Sequence, residues 1–71
     1  MYNFTKTIYV PAFRETMFLD MTSKTLNGAI KKIAKDQNKY MSEVSGNIHD
    51  YGWDYYTSVG FHIIKYKLSN E

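Results

Sequence analysis

The sequence contains no cysteine, and this absence excludes several classes of protein. A chain without cysteine cannot form a disulfide framework, an iron–sulfur cluster or a cysteine-ligated zinc site, and it suits a reducing compartment. The first residues lack the basic and apolar regions of a signal peptide. No apolar run approaches the roughly 20 residues that a membrane helix needs. We therefore expect a cytoplasmic protein that does not enter a membrane.

Residues and motifs that carry metal-dependent or nucleophilic chemistry are also scarce. The two histidines, His49 and His62, show no metal-site spacing with each other or with a carboxylate, so we expect no metal and no cofactor. We interpret His62 as a hydrogen-bonded structural residue, and Asp50 and Asp54 as turn-capping residues. The sequence contains no nucleophile motif, phosphate-binding glycine loop or dinucleotide motif. We predict no catalytic residues and no enzyme activity.

The chain is short, and its length limits what it can build. Its 71 residues suffice for one small domain, which we assign to residues 1–71. The 44% hydrophobic and 17% aromatic content is typical of a globular chain that folds alone. Because the entropy cost of ordering nearly offsets apolar burial at this size, we expect a stability margin of a few kcal/mol.

Alternating apolar and polar residues predict two strands before residue 22. The first covers Phe4–Val10, and Pro11 is expected to end it or to place it at an edge. The second covers Thr16–Met21, so the two form a predicted hairpin. A helical apolar stripe then predicts a helix over Lys24–Asn38, with an N-cap from Thr22-Ser23. The alternative is a hairpin turn at residues 27–28, which would split that stripe.

The remaining pattern returns to a period of two. It predicts a third strand over Tyr40–Ile48 and a fourth over Ser58–Leu68, with a connection at residues 49–57. The expected fold class is α+β, with an antiparallel sheet of about four strands, one helix packed on one face and the order β-β-α-β-β.

Charge is unevenly distributed along the chain. Residues 22–40 contain five lysines and one acid, whereas residues 41–60 contain three acids and no lysine or arginine. On a helical wheel the lysines lie opposite the apolar stripe, and Gly28 lies among them. A glycine at that position would let a phosphate backbone or a partner surface approach. The alternative is an ordinary solvated basic face. The candidate partner-binding residues here are Gly28, Lys31, Lys32 and Lys35.

The connection at residues 49–57 is rich in aromatic residues and forms a second candidate surface. Tyrosine and tryptophan favour protein interfaces, and the neighbouring acids Asp50 and Asp54 favour a protein partner over single-stranded nucleic acid. Trp53 is assigned equally to the core or to a contact surface. The candidate partner-binding residues in this segment are Tyr51, Trp53 and Tyr55.

The order of elements resembles a known group of small inhibitors. The features that carry the likeness are a strand pair, the helix entry Thr25-Leu26, a helix through Ala29 and residues 32–37, and a closing strand pair. Together they resemble the small phage-encoded type I-F anti-CRISPR proteins, built as one helix on an antiparallel sheet. The resemblance implies action without catalysis, inside the host bacterial cell, by covering the nucleic-acid-binding surface of a defence complex.

Three hypotheses about function follow. The first is a phage-type inhibitor that binds a bacterial defence or host protein complex and blocks its nucleic-acid or partner surface. The second is a small nucleic-acid-binding module that places the helical lysines on phosphates. The third is a homo-oligomer joined by strand edges, with aromatic residues at its interface.

Overall fold

The fold is built around two long strands at the centre of one sheet. The computed structural model describes residues 4–70, and side chains over residues 6–67. Strand β1 (Phe4–Phe13) pairs antiparallel with the last strand, Phe61–Asn70, over ten residues. Residues 1–3 and 71 of the predicted domain lie outside the described residues.

Three short strands complete the sheet. They are β2 (Thr16–Met17), β3 (His49–Asp50) and β4 (Asp54–Tyr56), so that Phe61–Asn70 is β5. The spatial order is β2-β1-β5-β4-β3, and every neighbouring pair is antiparallel. The α+β class with an antiparallel sheet and one main helix is confirmed. The sheet has five strands because the segment predicted as a connection folds into the β3–β4 hairpin.

Pro11 does not end the first strand, and β1 lies between β2 and β5, so neither predicted outcome for Pro11 is confirmed. Its carbonyl oxygen accepts a hydrogen bond from Phe18 N at 2.9 Å, on the side of β1 away from β5. In an antiparallel strand the nitrogen and oxygen of one residue point to the same side. The missing N–H of Pro11 therefore removes no hydrogen bond between β1 and β5, and β1 continues to Phe13.

The predicted helix is confirmed, and α1 spans Leu26–Gln37. Its N-cap is Thr25, whose Oγ1 accepts from Gly28 N at 3.0 Å. The prediction of a cap at residues 22–23 is wrong because Ser23 instead pairs with Tyr9 through two backbone hydrogen bonds of 2.8 and 2.9 Å. The helix ends at Asn38, which adopts the left-handed conformation with φ 55°.

Two predicted strand segments fold otherwise. The second strand stops at Met17, and a single 3₁₀ turn at Leu19–Met21 redirects the chain toward α1. The predicted third strand is wrong: this segment contains the short helix α2 (Met41–Ser45). Glu43 Oε2 caps α2 by accepting from Tyr40 N at 2.7 Å, and Val44 is fully buried. One buried residue per turn suits a helix that packs on α1.

The main core lies between α1 and one face of the sheet. Its buried residues are Ala29, Ile30, Ile33 and Ala34 of α1, Val44 of α2, and Tyr55, Phe61 and Ile63 of the sheet. On the opposite face of the sheet, a second apolar contact buries part of β1. There the Tyr66 hydroxyl reaches Met17 Sδ at 3.9 Å across β1, and Val10 between them is buried.

We expect the core to be sensitive to the loss of one methyl group at its centre. Ile33→Val should lower the free energy of unfolding by about 0.5–1.5 kcal/mol because Ile33 is fully buried. The matched change Leu19→Val, at a residue that is 70% exposed, should alter it by less than about 0.5 kcal/mol. Urea unfolding followed by circular dichroism measures both, and equal losses would contradict this description of the core.

Candidate functional site

The aromatic segment is held in a tight hairpin between β3 and β4. Asp50 Oδ1 accepts from Gly52 N at 2.7 Å, and Tyr51 N donates to Asp54 O at 3.0 Å. Gly52 has φ 88°, a conformation that favours glycine. Asp50 is therefore the turn-capping residue that the sequence predicts, and the turn fixes where Tyr51 and Trp53 leave the backbone.

Asp54 does not cap a turn with its side chain, contrary to the prediction; it is 3% exposed and pairs with His62. His62 Nδ1 lies 2.9 and 3.1 Å from the two carboxylate oxygens of Asp54, so one N–H is shared between them. This pair links β4 to β5 on the sheet face opposite α1. The expectation that His62 is hydrogen-bonded is confirmed.

A row of four rings extends outward from this pair. Tyr56 stacks on His62 with ring centroids 5.1 Å apart and planes at 18°. Tyr51 meets Tyr56 edge to face at 5.5 Å and 84°, and His49 stacks on Tyr51 at 6.5 Å. We call His49, Tyr51, Tyr56 and His62 the aromatic row. Each ring contacts the next, so the exposed rings are positioned by the buried Asp54 carboxylate.

The aromatic row forms one wall of an open pocket of about 330 Å³. Its lining residues are Tyr51, Trp53, Asp54 and Tyr56. The side chains of Tyr51, Trp53 and Tyr56 are 62%, 63% and 46% exposed. Trp53 is thus a surface residue, which excludes its assignment to the core. Its backbone is nevertheless fixed, because Trp53 O accepts from Lys65 N at 2.8 Å.

Tyr55 does not belong to this surface, and its prediction as an exposed contact residue is wrong. It is 8% exposed and packs in the main core, where its ring lies 6.1 Å from that of Tyr9. Adjacent residues of a strand face opposite sides of a sheet, so burial of Tyr55 places Tyr56 on the exposed side. Sequence reasoning missed Tyr56 as a site residue because the pattern could not tell which of the two faces the core.

The helical lysines form a separate surface on the other side of the molecule. Lys31, Lys32 and Lys35 are all exposed, and Lys32 Nζ donates to Thr22 O at 2.6 Å. Lys32 and Lys35 also border a depression that Asp20 and Asp36 share. The lysines lie on the outer side of α1, whereas the aromatic row lies on the opposite face of the sheet. The structure therefore does not bring the two predicted surfaces together.

The sequence predicts that Gly28 is open to the approach of a ligand, and this prediction is wrong. A methyl group there would overlap Ser23 Oγ and lie 3.2 Å from Ser23 Cβ and 3.0 Å from Thr25 Oγ1. The close approach of Ser23 explains why residue 28 is a glycine, since a side chain there would clash with it. The residue lies at the junction between the sheet and α1, where Ser23 and Thr25 leave no room for a side chain.

Removal of His62 should cost more stability than removal of Asp54. His62→Ala leaves a buried carboxylate without its partner, which costs about 3–5 kcal/mol, whereas Asp54→Ala leaves one unpaired N–H and costs about 1–3 kcal/mol. The double variant should be more stable than the sum of the two losses predicts. Urea unfolding of the four proteins tests this, and strictly additive losses would contradict a direct Asp54–His62 interaction.

Gly28→Ala should not stabilise the protein. Alanine in a helix is usually favoured over glycine by about 1 kcal/mol, but here the new methyl group meets Ser23. In a Ser23→Gly background the same change should recover that gain. Thermal unfolding of the two pairs measures the difference, and a gain of the usual size with Ser23 present would show that Gly28 is open.

No helix in the part of the chain that the structure describes is long and apolar enough to cross a membrane. Among those same residues, no group of three or more histidine, aspartate or glutamate side chains is arranged to hold a metal ion. Comparisons with protein-family models, with curated proteins and with solved structures found no match to this chain.

Proposed function

We propose that this protein is a non-enzymatic inhibitor of phage type, which binds a bacterial defence or host protein complex and covers a surface that the complex needs. The contact surface is the aromatic row together with Trp53. The observation that carries the proposal is the exposure of three large rings, Tyr51, Trp53 and Tyr56, on a hairpin whose backbone is hydrogen-bonded.

The energetics of protein association support this use of the surface. Tyrosine and tryptophan dominate the residues whose truncation weakens protein interfaces most. Rings that are already positioned lose little conformational entropy when a partner covers them. The contacts of Tyr56 with Tyr51 and His62 supply that positioning. A protein surface that buries these rings would gain apolar contact at low cost in ordering.

The alternative of a nucleic-acid-binding module has weaker support. Stacking surfaces for bases normally lie among cations, but the exposed rings here neighbour Asp50. The exposed lysines lie on the opposite side of the molecule, and Lys32 is engaged with Thr22 O. Asp20 and Asp36 border the same depression as Lys32 and Lys35 and reduce its positive potential.

The surroundings of His62 support action without catalysis. Its Nδ1 is taken by Asp54, its ring is stacked by Tyr56, and its Nε2 lies 3.5 Å from the Arg14 carbonyl oxygen. A histidine that activates a nucleophile needs a hydroxyl or thiol within hydrogen-bond reach. Among the described residues no such group is hydrogen-bonded to His62.

A tagged pull-down from bacterial lysate, with and without nuclease, tests the proposal. We expect a stoichiometric protein complex that survives nuclease treatment. Trp53→Ala should weaken its binding about thirtyfold, the effect of a central aromatic contact. Leu19→Ala, at a residue exposed to a similar degree outside the aromatic row, should leave binding unchanged. Circular dichroism confirms that both variants fold.

Two results would contradict the proposal. Recovery of a diffuse set of nucleic-acid-associated proteins, lost on nuclease treatment, would assign the function to the lysines of α1. Equal binding by wild type and a folded Trp53→Ala variant would exclude the aromatic surface as the contact.

A further inference from the structure

We propose that the pocket between Tyr51, Trp53 and Tyr56 binds a quaternary ammonium group, such as the head of choline or of trimethylated lysine. This inference does not depend on the proposed function, since a chain with no protein target could still bind that group. It rests on the arrangement of the rings, on the charge around them and on the hydrogen bonds that are already made.

The ring arrangement suits a cation. Tyr51 and Tyr56 both line the pocket, and their planes meet at 84°, so the two rings stand nearly perpendicular to each other beside it. Trp53 lines the same pocket. The faces of aromatic rings are electron-rich, and an organic cation surrounded by several of them is attracted to each. A pocket of about 330 Å³ is large enough to admit such a group.

The local charge favours the same ligand. Asp54 lines the pocket and Asp50 holds its turn, while residues 41–60 contain no lysine or arginine. None of the residues that line the pocket is basic, although His49 and His62 belong to the adjoining aromatic row and stack on Tyr51 and Tyr56. His62 is engaged by Asp54, and Lys65 lies on the opposite side of β5 from His62, the side that faces α1. A cation in the pocket therefore meets acidic neighbours first.

The hydrogen bonds already made distinguish a quaternary ammonium from lysine or arginine. Both oxygens of Asp54 are within hydrogen-bond distance of His62 Nδ1, and Asp50 Oδ1 accepts from Gly52 N. An ammonium or guanidinium group in the pocket would lose water and meet only one carboxylate among the lining residues, that of Asp54. This carboxylate is 3% exposed and already accepts from His62 Nδ1, so donors of the ligand would be left unpaired at a cost. A quaternary ammonium has no N–H to satisfy. It needs only ring faces and a negative potential.

Fluorescence titration tests the proposal because Trp53 is the single tryptophan of the chain and lines the pocket. Choline chloride is titrated into the full chain at constant ionic strength, with 3,3-dimethyl-1-butanol as a neutral probe of the same shape. We expect saturable binding of choline at about 1 mM and binding of the alcohol weaker by about tenfold. Equal affinity for the two probes would overturn the proposal, since it would mean that charge is not recognised.

Two variants locate the binding. Tyr51→Leu removes one ring but retains an apolar side chain, and it should weaken choline binding about tenfold. Tyr40→Leu removes an exposed ring that does not line the pocket, and it should have no effect. Equal affinities in both variants would contradict the proposal. Circular dichroism establishes that each variant is folded before titration.

A further titration distinguishes the sources of the group. A peptide with trimethyllysine that binds about tenfold or more tightly than choline assigns the pocket to a modified protein side chain. Equal affinities assign it to the free small molecule. Unmodified lysine peptide is the control, and its binding as tightly as the trimethylated peptide would contradict the proposal.

Discussion

The exposed surface of this protein depends on one buried interaction, the hydrogen bond between Asp54 and His62. A carboxylate that is 3% exposed is tolerated only with a partner, and His62 Nδ1 supplies it at 2.9 Å. The pair fixes the imidazole ring, Tyr56 stacks on that ring, and Tyr51 packs against Tyr56. The arrangement of the exposed rings therefore depends on the buried hydrogen bond between Asp54 and His62.

The sheet separates the main core from the exposed aromatic row, which lie on its two opposite faces in this chain of 71 residues. The side toward α1 holds the main core, where Ile33 and Ile63 are fully buried. The other side carries the aromatic row at one end and the Tyr66–Met17 contact over Val10 along β1. Because the main core lies on the first side, the rings on the second side can remain exposed.

The sequence predicts the elements whose pattern is long and misses those that tertiary contacts decide. The apolar stripe of α1 covers three turns, and a hairpin turn at residues 27–28 would have split it. The helix is therefore predicted to within two residues of its observed ends. Tyr40, Val44 and Ile48 are four residues apart, a spacing that fits a helix as well as the predicted strand. Glu43, three residues after Tyr40, was the signal for a helix start. The sequence does not show which of Tyr55 and Tyr56 is buried, because that depends on which face of the sheet packs against α1. The hydrogen bond between Asp54 and His62, eight residues apart, also has no signal in the local sequence pattern.

The most direct test of this account is a comparison of aromatic NMR contacts in the wild type and in Asp54→Ala. We expect nuclear Overhauser contacts between Tyr51 and Tyr56 and between Tyr56 and His62 in the wild type. In the folded variant these contacts should be lost, while contacts within the core around Ile33 persist. If the rings keep their mutual contacts without the Asp54 carboxylate, the buried pair does not organise the surface and the account is wrong.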